Sequence, residues 1–125
     1  MKRSHAILAG LSFLISFIIY VMTMAPTTSF WDCGEFIATS VTMGVPHPPG
    51  TPLYLILGNF FSQLPFFDDL GARVNLLSPI TSAFSVMFLY LISVQLIEAW
   101  RGKLDSISDQ LITYGSAFIG AMTFA

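Results

Sequence analysis

"AILAGLSFLISFIIYVMTMA", residues 6–25, decides the fold class, because no Asp, Glu, Lys, Arg or His interrupts it. At about 1.5 Å of rise per residue, a helix of this length reaches about 30 Å, the thickness of a hydrocarbon core. It is read as a first transmembrane helix. The whole chain agrees: 54% of its 125 residues are hydrophobic and only 10% are charged, against roughly 25% charged in a soluble domain. A secretory signal is the rival reading, with Lys2 and Arg3 as its basic start and Thr23-Met24-Ala25 as a cleavage-like end. The apolar run exceeds the about 7–15 residues of an ordinary signal core, and Pro26 would follow the cut.

Outward from that run, a second charge-free stretch covers residues 74–97, with Pro79 near enough to its start to be tolerated in a first helical turn. A third apolar run begins at Leu111 and reaches residue 125, too short to cross. The expected architecture is an all-α membrane protein of multi-pass transmembrane helices. The chain is expected to be the N-terminal part of a larger membrane domain, with spans at about 6–25 and 74–97 and a truncated one at 111–125. The non-cytoplasmic loop, about 26–73, is expected to carry short interfacial helices.

Charge placement sets the orientation. Lys2 and Arg3 precede the first span and Arg101 and Lys103 follow the second. Two crossings put all four on the cytoplasmic face, as the positive-inside rule favours. This predicts an integral membrane protein with a cytoplasmic N-terminus, in a bacterial inner membrane or an ER-type membrane. With a formal net charge of -2 and no basic stripe, nucleic acid is excluded as a partner. Cys33 is the only cysteine, which excludes an internal disulfide and a thiolate metal cage.

Within the loop, Asp32 is placed to cap a helix over 33–43, with Gly44 as the stop and Pro46 beyond. A second helix fits 51–64, with Thr51 as N-cap and Pro52 at its first position. At about 20 Å it is too short to cross. Asn59, Ser62 and Gln63 fall on one side of it, while Leu53, Ile56, Leu57, Phe60, Phe61 and Leu64 cover much of the rest, a pattern that suits a helix lying in the interface.

Asp32 and Glu35 are the first acids after the apolar run. The D-x-x-E spacing matches a capping box, in which Asp32 accepts from backbone amides and Glu35 reaches back. A carboxylate held there is also placed to act as a general base on a hydroxyl within about 3 Å. "GVPHPPG", residues 44–50, makes a stiff bend around His47, with Pro48 and Pro49 following. His47 either bonds the backbone in that turn or serves a site as a titratable imidazole. Asp32, Glu35 and His47 would also make an oxygen and nitrogen ligand set for a divalent metal, but their spacing matches no compact metal motif. No metal or cofactor is assigned, and a divalent metal stays open as the less favoured reading. Asp68 and Asp69 read as a solvated hinge. Arg73 is the sole base of the loop, suited either to a lipid phosphate or to anchoring at the interface. Tyr20, Trp31, Tyr54, Tyr90 and Trp100 are expected in aromatic belts.

Taken together, "FWDCGEFIATSVTMGVPHPPGTPLY" and "ARVNLLSPITSAFSVMFLYLI" resemble the N-terminal part of a protein O-mannosyltransferase-like membrane family. They are similar, more remotely, to the protein O-mannosyltransferases and the aminoarabinose transferases. Those families share an acidic motif after the first span, a helix, a His-Pro-Pro or Lys-Pro-Pro bend, a juxtamembrane helix and an Arg-containing start to the second span. The resemblance covers about residues 6–100. It implies a GT-C glycosyltransferase moving a sugar, such as mannose, from a polyprenyl- or dolichyl-phosphate carrier to a protein or glycan hydroxyl on the non-cytoplasmic face. The partners implied are therefore a lipid-phosphate sugar donor, a hydroxyl acceptor and the bilayer.

By the same resemblance Asp32 takes the place of the catalytic general base, Glu35 orients acceptor or base, and His47, Pro48 and Pro49 shape the floor of the site. Two departures stand out: the mannosyltransferases have adjacent Asp and Glu where this chain has D-x-x-E, and Gly50 replaces their leucine. A lipid phosphate is a good leaving group, so such a reaction needs one positioned base rather than the acid and base pair of a glycoside hydrolase. The competing classes are a transporter and a non-catalytic scaffold. Transporters place ionisable groups near the membrane midplane, whereas both spans here are charge-free. A piece of this size is expected to lack the further spans that complete a donor pocket.

Overall fold

The structure, a computed structural model, describes residues 3–102, 104 and 106–125. Lys2 and Lys103, each part of a basic cluster, lie outside the described residues. Among the described residues six helices follow in order: α1 (Arg3–Thr23), α2 (Cys33–Thr42), α3 (Pro52–Ser62), α4 (Leu70–Asn75), α5 (Leu77–Arg101) and α6 (Ile107–Phe124). No strand occurs among the described residues.

Two stretches, Arg3–Thr23 and the nearly continuous Leu70–Arg101, are long and apolar enough to cross a bilayer. The second outruns the expected 74–97 at both ends for local reasons. At its start the Asp69 side chain accepts from the Ala72 backbone N–H at 3.0 Å, a helix cap. At its end Arg101 sits in the last turn, where a cation complements the helix dipole. Gly102 then adopts φ 86, the left-handed conformation that terminates helices. Pro79 falls in the first turn of α5, as its missing N–H requires. α6 begins ahead of the expected 111 because Ser106 caps it, accepting from Ser108 N–H at 3.2 Å.

The chain divides into two compact units. One comprises residues 1–20 and 81–125. Its core gathers Ala9, Val86, Tyr90, Val94, Ala117 and Ala121, with Tyr114 and Leu104. The buried positions of α1 within this unit are His5, Ala9, Ser12 and Ser16, at helical spacing. Small residues of this kind let apolar helices approach closely where no hydrophobic force from water drives them together. Ser12 satisfies its own hydroxyl by donating to Ala9 O at 2.8 Å. Tyr90 departs from the aromatic-belt expectation: it is fully buried, and its hydroxyl lies 3.0 Å from His5 Nδ1. A partner for the hydroxyl deep in the core removes the reason for the ring to sit at a headgroup surface.

The other unit is residues 21–80, in which α2, α3 and α4 pack on one another. Its core holds Ile37, Leu55, Ala72, Val74, Leu76 and Leu77. α2 and α3 touch at Gly58, where an added Cβ would lie 2.5 Å from Ser40 Oγ and 2.9 Å from Ser40 Cβ. α3 is amphipathic as expected, and the structure shows which way it faces. Asn59 Nδ2 donates to Ser40 O at 2.9 Å and to Val41 O at 3.3 Å, and Ser62 is buried. Leu53, Ile56 and Phe60 instead point outward, exposed. The helix thus keeps its polar edge on the protein and presents its apolar edge to the surroundings, the orientation that a lipid interface favours.

Candidate functional site

The segment after α1 is tied down by side chains from α4. Asn75 Nδ2 donates to Ala25 O at 3.0 Å and to Thr27 O at 2.9 Å. Thr27 Oγ1 donates to Asp69 Oδ2 at 3.1 Å, while the other Asp69 oxygen caps α4. Removing Asn75 would leave two carbonyls unpartnered and loosen the approach to α2. Asn75→Ala in the full-length protein is therefore expected to cost about 1–2 kcal/mol, read as a fall in thermal unfolding midpoint; an unchanged midpoint would refute the anchoring role.

Trp31, the last residue before the acidic pair, holds φ 56 with its side chain 90% exposed. A non-glycine residue in this left-handed region is strained. The turn delivers Asp32 to the start of α2. There the structure corrects the capping-box expectation. Asp32 occupies the N-cap position, but its carboxylate makes no capping hydrogen bond. Glu35 does not reach back to it either. Both Glu35 oxygens are taken by a residue twelve positions on: His47 backbone N–H donates to Oε1 at 2.8 Å, and His47 Nδ1 lies 2.7 Å from Oε2.

The route to that contact runs through the end of α2. Met43, rather than the expected Gly44, adopts the left-handed cap conformation at φ 52, and Gly44 N–H closes on Thr39 O at 2.9 Å. The bend then returns His47 to the first turn of α2. Gly50, at φ 74, is where the bend needs a residue without a Cβ penalty; its N–H bonds His47 O at 3.0 Å. The peptide between Pro48 and Pro49 is cis. Thr51 precedes α3 as expected but makes no side-chain cap; its Oγ1 is buried without a hydrogen-bond partner.

Asp32 completes the group. Its Oδ2 stands 4.0 Å from His47 Nε2, with the Asp32 side chain 60% exposed, His47 49% and Glu35 38%. The Phe36 ring lies 5.9 Å from the imidazole and 5.8 Å from Tyr54, and so flanks His47 from the body of α2. The hydrogen bond to Glu35, reinforced by its charge, raises the His47 imidazole above its ordinary 6.5. In return the bonds from the His47 ring and backbone hold the Glu35 carboxyl below its ordinary 4.5.

One ligand atom from each of Asp32, Glu35 and His47 falls within 4.8 Å of the others, so the spacing admits a divalent cation. Each Glu35 oxygen already accepts from His47, so a cation bound here would share Glu35 with the histidine.

Arg73 turns its guanidinium to other partners. Its Nε donates to Phe67 O and its Nη1 to Ser62 O at 3.2 Å, closing the turn that follows α3. Pro49 borders a cavity of about 390 Å³ beside the bend, lined also by Met43, Val45, Pro46, Pro52 and Ile56. The loop thus joins the acid–histidine group on one side to an apolar hollow on the other.

Sequence reasoning gathered Asp32, Glu35 and His47 but missed that Glu35 belongs to His47. The signal was present. Among residues 46–49 only His47 is not proline, so its backbone N–H is the one donor in that stretch and needs an acceptor. The bracing by Phe36 and the anchoring by Asn75 had no comparable signal.

Residues 32–125 match a family described as the protein O-mannosyl-transferase TMEM260 N-terminal domain. The chain belongs to this family. The protein O-mannosyl-transferase tmem260 of Dictyostelium discoideum is 32% identical over 109 residues, 85% of this chain and 13% of the relative. The protein O-mannosyl-transferase TMEM260 of Mus musculus is 32% identical over 72 residues, 58% of this chain and 10% of the relative. The chain therefore spans only a small part of the length of the relatives it matches. No solved structure matches it. The family match begins at Asp32 itself, and so takes in the whole acid–histidine group.

Proposed function

We propose that the chain is the N-terminal part of a multi-pass GT-C membrane glycosyltransferase. It transfers a sugar, mannose by the names of its relatives, from a polyprenyl- or dolichyl-phosphate carrier to a protein hydroxyl on the non-cytoplasmic face. The observation that carries this reading is the placement of Asp32. Its carboxylate is exposed at the N-terminal end of α2, a few residues past a helix able to cross a bilayer, and makes no capping bond.

In the proposed reaction Asp32 takes the proton of the acceptor hydroxyl as the acceptor oxygen bonds to the anomeric carbon. The bond from that carbon to the carrier's phosphate oxygen breaks, and the lipid phosphate leaves with the electron pair. Glu35 and His47 support the base, and Pro48 and Pro49 give the floor of the site its stiffness. Arg73 keeps two of its five N–H groups on backbone carbonyls, so its remaining N–H groups and its positive charge are what it offers a carrier phosphate. The outward apolar edge of α3 supports a lipid-embedded donor, because it would set the site at the depth where a carrier's headgroup emerges.

The test uses the full-length protein in lipid nanodiscs with a Ser/Thr-bearing protein acceptor. Transfer is expected from dolichyl-phosphate mannose and not from GDP-mannose. Equal transfer from the nucleotide sugar would reject the lipid carrier, and transfer from neither would reject the reading.

A further inference from the structure

We infer that Glu35 is a positioning residue that acts only through His47, and that Glu35, His47 and Asp32 form one chain of orientation ending at the base. This deepens the proposed function and rests on its assignment of Asp32.

Both Glu35 oxygens are already engaged by His47. One oxygen receives the His47 backbone N–H at 2.8 Å and the other meets Nδ1 at 2.7 Å. A two-point grip of this kind fixes both where the bend sits and how the imidazole is turned. With Nδ1 committed as a donor to the carboxylate, the ring presents Nε2 on its far side. That nitrogen faces Asp32 Oδ2 at 4.0 Å. The distance is that of an ion pair rather than a hydrogen bond, so the effect on Asp32 is to hold one oxygen toward the imidazole and leave the other for the hydroxyl.

Three features keep the chain of contacts from rotating away. Phe36, one residue after Glu35 on α2, sets its ring 5.9 Å from the imidazole. The prolines on both sides of His47 confine its backbone. Gly50 N–H ties His47 O at 3.0 Å, so both backbone polar groups of His47 are held. A histidine with both backbone groups and one ring nitrogen fixed has only its second ring nitrogen left to serve a site. This order of contacts also accounts for the D-x-x-E spacing. On a helix, residues three apart share a face, so the acid that grips His47 lies on the same side as the acid that His47 addresses.

The test is a double-mutant cycle on the full-length protein in nanodiscs, with dolichyl-phosphate mannose and a Ser/Thr-bearing protein acceptor. Glu35→Gln and His47→Gln are each expected to lower kcat by about 10- to 100-fold, the usual range when a group that orients another is lost, with KM for the acceptor unchanged. Combining them is expected to cost no more than His47→Gln alone, because a residue acting through another is silent once that other is gone. Multiplicative losses, or a raised acceptor KM in Glu35→Gln, would overturn the inference and return Glu35 to the substrate.

If either variant fails to fold, histidine-selective nitrogen NMR of the unaltered protein decides. A proton on Nδ1 in a short hydrogen bond is expected, and a ring protonated at Nε2 alone would overturn it. Asp32→Asn is run in parallel. Full activity in that variant would remove the base assignment, whereas its inactivity beside a multiplicative cycle would remove only the positioning chain.

Discussion

Asp32→Asn in the full-length protein is expected to abolish most sugar transfer, lowering kcat by about 10²- to 10⁴-fold, the span that a positioned general base supplies. Asn has the shape of Asp but cannot take a proton near neutral pH, so the loss should fall on kcat and leave KM for the lipid donor near its starting value. The fold should not move with it. Asp32 makes no capping bond and its side chain is 60% exposed, so no buried partner is orphaned and the unfolding midpoint should stay where it was. Expression and thermal unfolding measured beside the transfer assay separate the two effects. Undiminished transfer would take Asp32 out of the role of base.

Gly58→Val carries the largest expected effect on stability. Even a methyl group at this position would stand 2.5 Å from Ser40 Oγ and 2.9 Å from Ser40 Cβ. The hydroxyl has no hydrogen-bond partner holding it and can rotate away, but the Cβ is fixed to the α2 backbone and cannot. Val74 Cγ1 lies 3.4 Å away as well, so a larger side chain meets several neighbours at once. Overpacking of this kind typically costs about 1–3 kcal/mol, and the two further methyls of valine place this substitution at about 3 kcal/mol. A sharp drop in thermal midpoint in nanodiscs checks it. Pairing Gly58→Ala with Ser40→Gly, which removes the opposing Cβ, should recover most of the loss that Gly58→Ala causes alone. A midpoint unmoved by Gly58→Val would mean that α2 and α3 do not meet as described.

The helices were legible because their signals are local. A charge-free run of sufficient length and a proline in a first turn each act on neighbouring residues, and α1 and α5 follow from them; α6 was read only from Leu111 because its cap, Ser106, lies ahead of the apolar run. The second long stretch, Leu70–Arg101, outruns the expected 74–97 because its start, in α4, depends on Asp69 and the end of α5 on Gly102, polar and glycine signals outside the apolar window. The grouping of Asp32, Glu35 and His47 was legible, and the bonds within it were misread. D-x-x-E specifies a capping box so long as nothing distant competes for the glutamate, and His47, twelve residues away, competes with two donors at once. No pattern within one helix could reveal that. The orientation of α3 was similarly hidden: its periodicity shows two faces, but only Asn59 reaching the carbonyls of Ser40 and Val41 shows which face turns inward.

That orientation has a practical consequence for anyone wishing to study the loop by itself. Residues 21–80 form a compact unit, which invites excision and recombinant production in buffer. Such a product would carry Leu53, Ile56 and Phe60 outward, together with Val45 and Met43, as a hydrocarbon-like surface with no lipid to cover it. Water would drive these faces together, and clumping would follow from the native arrangement itself rather than from misfolding. Detergent or lipid added to the buffer would be the way to keep such a surface covered.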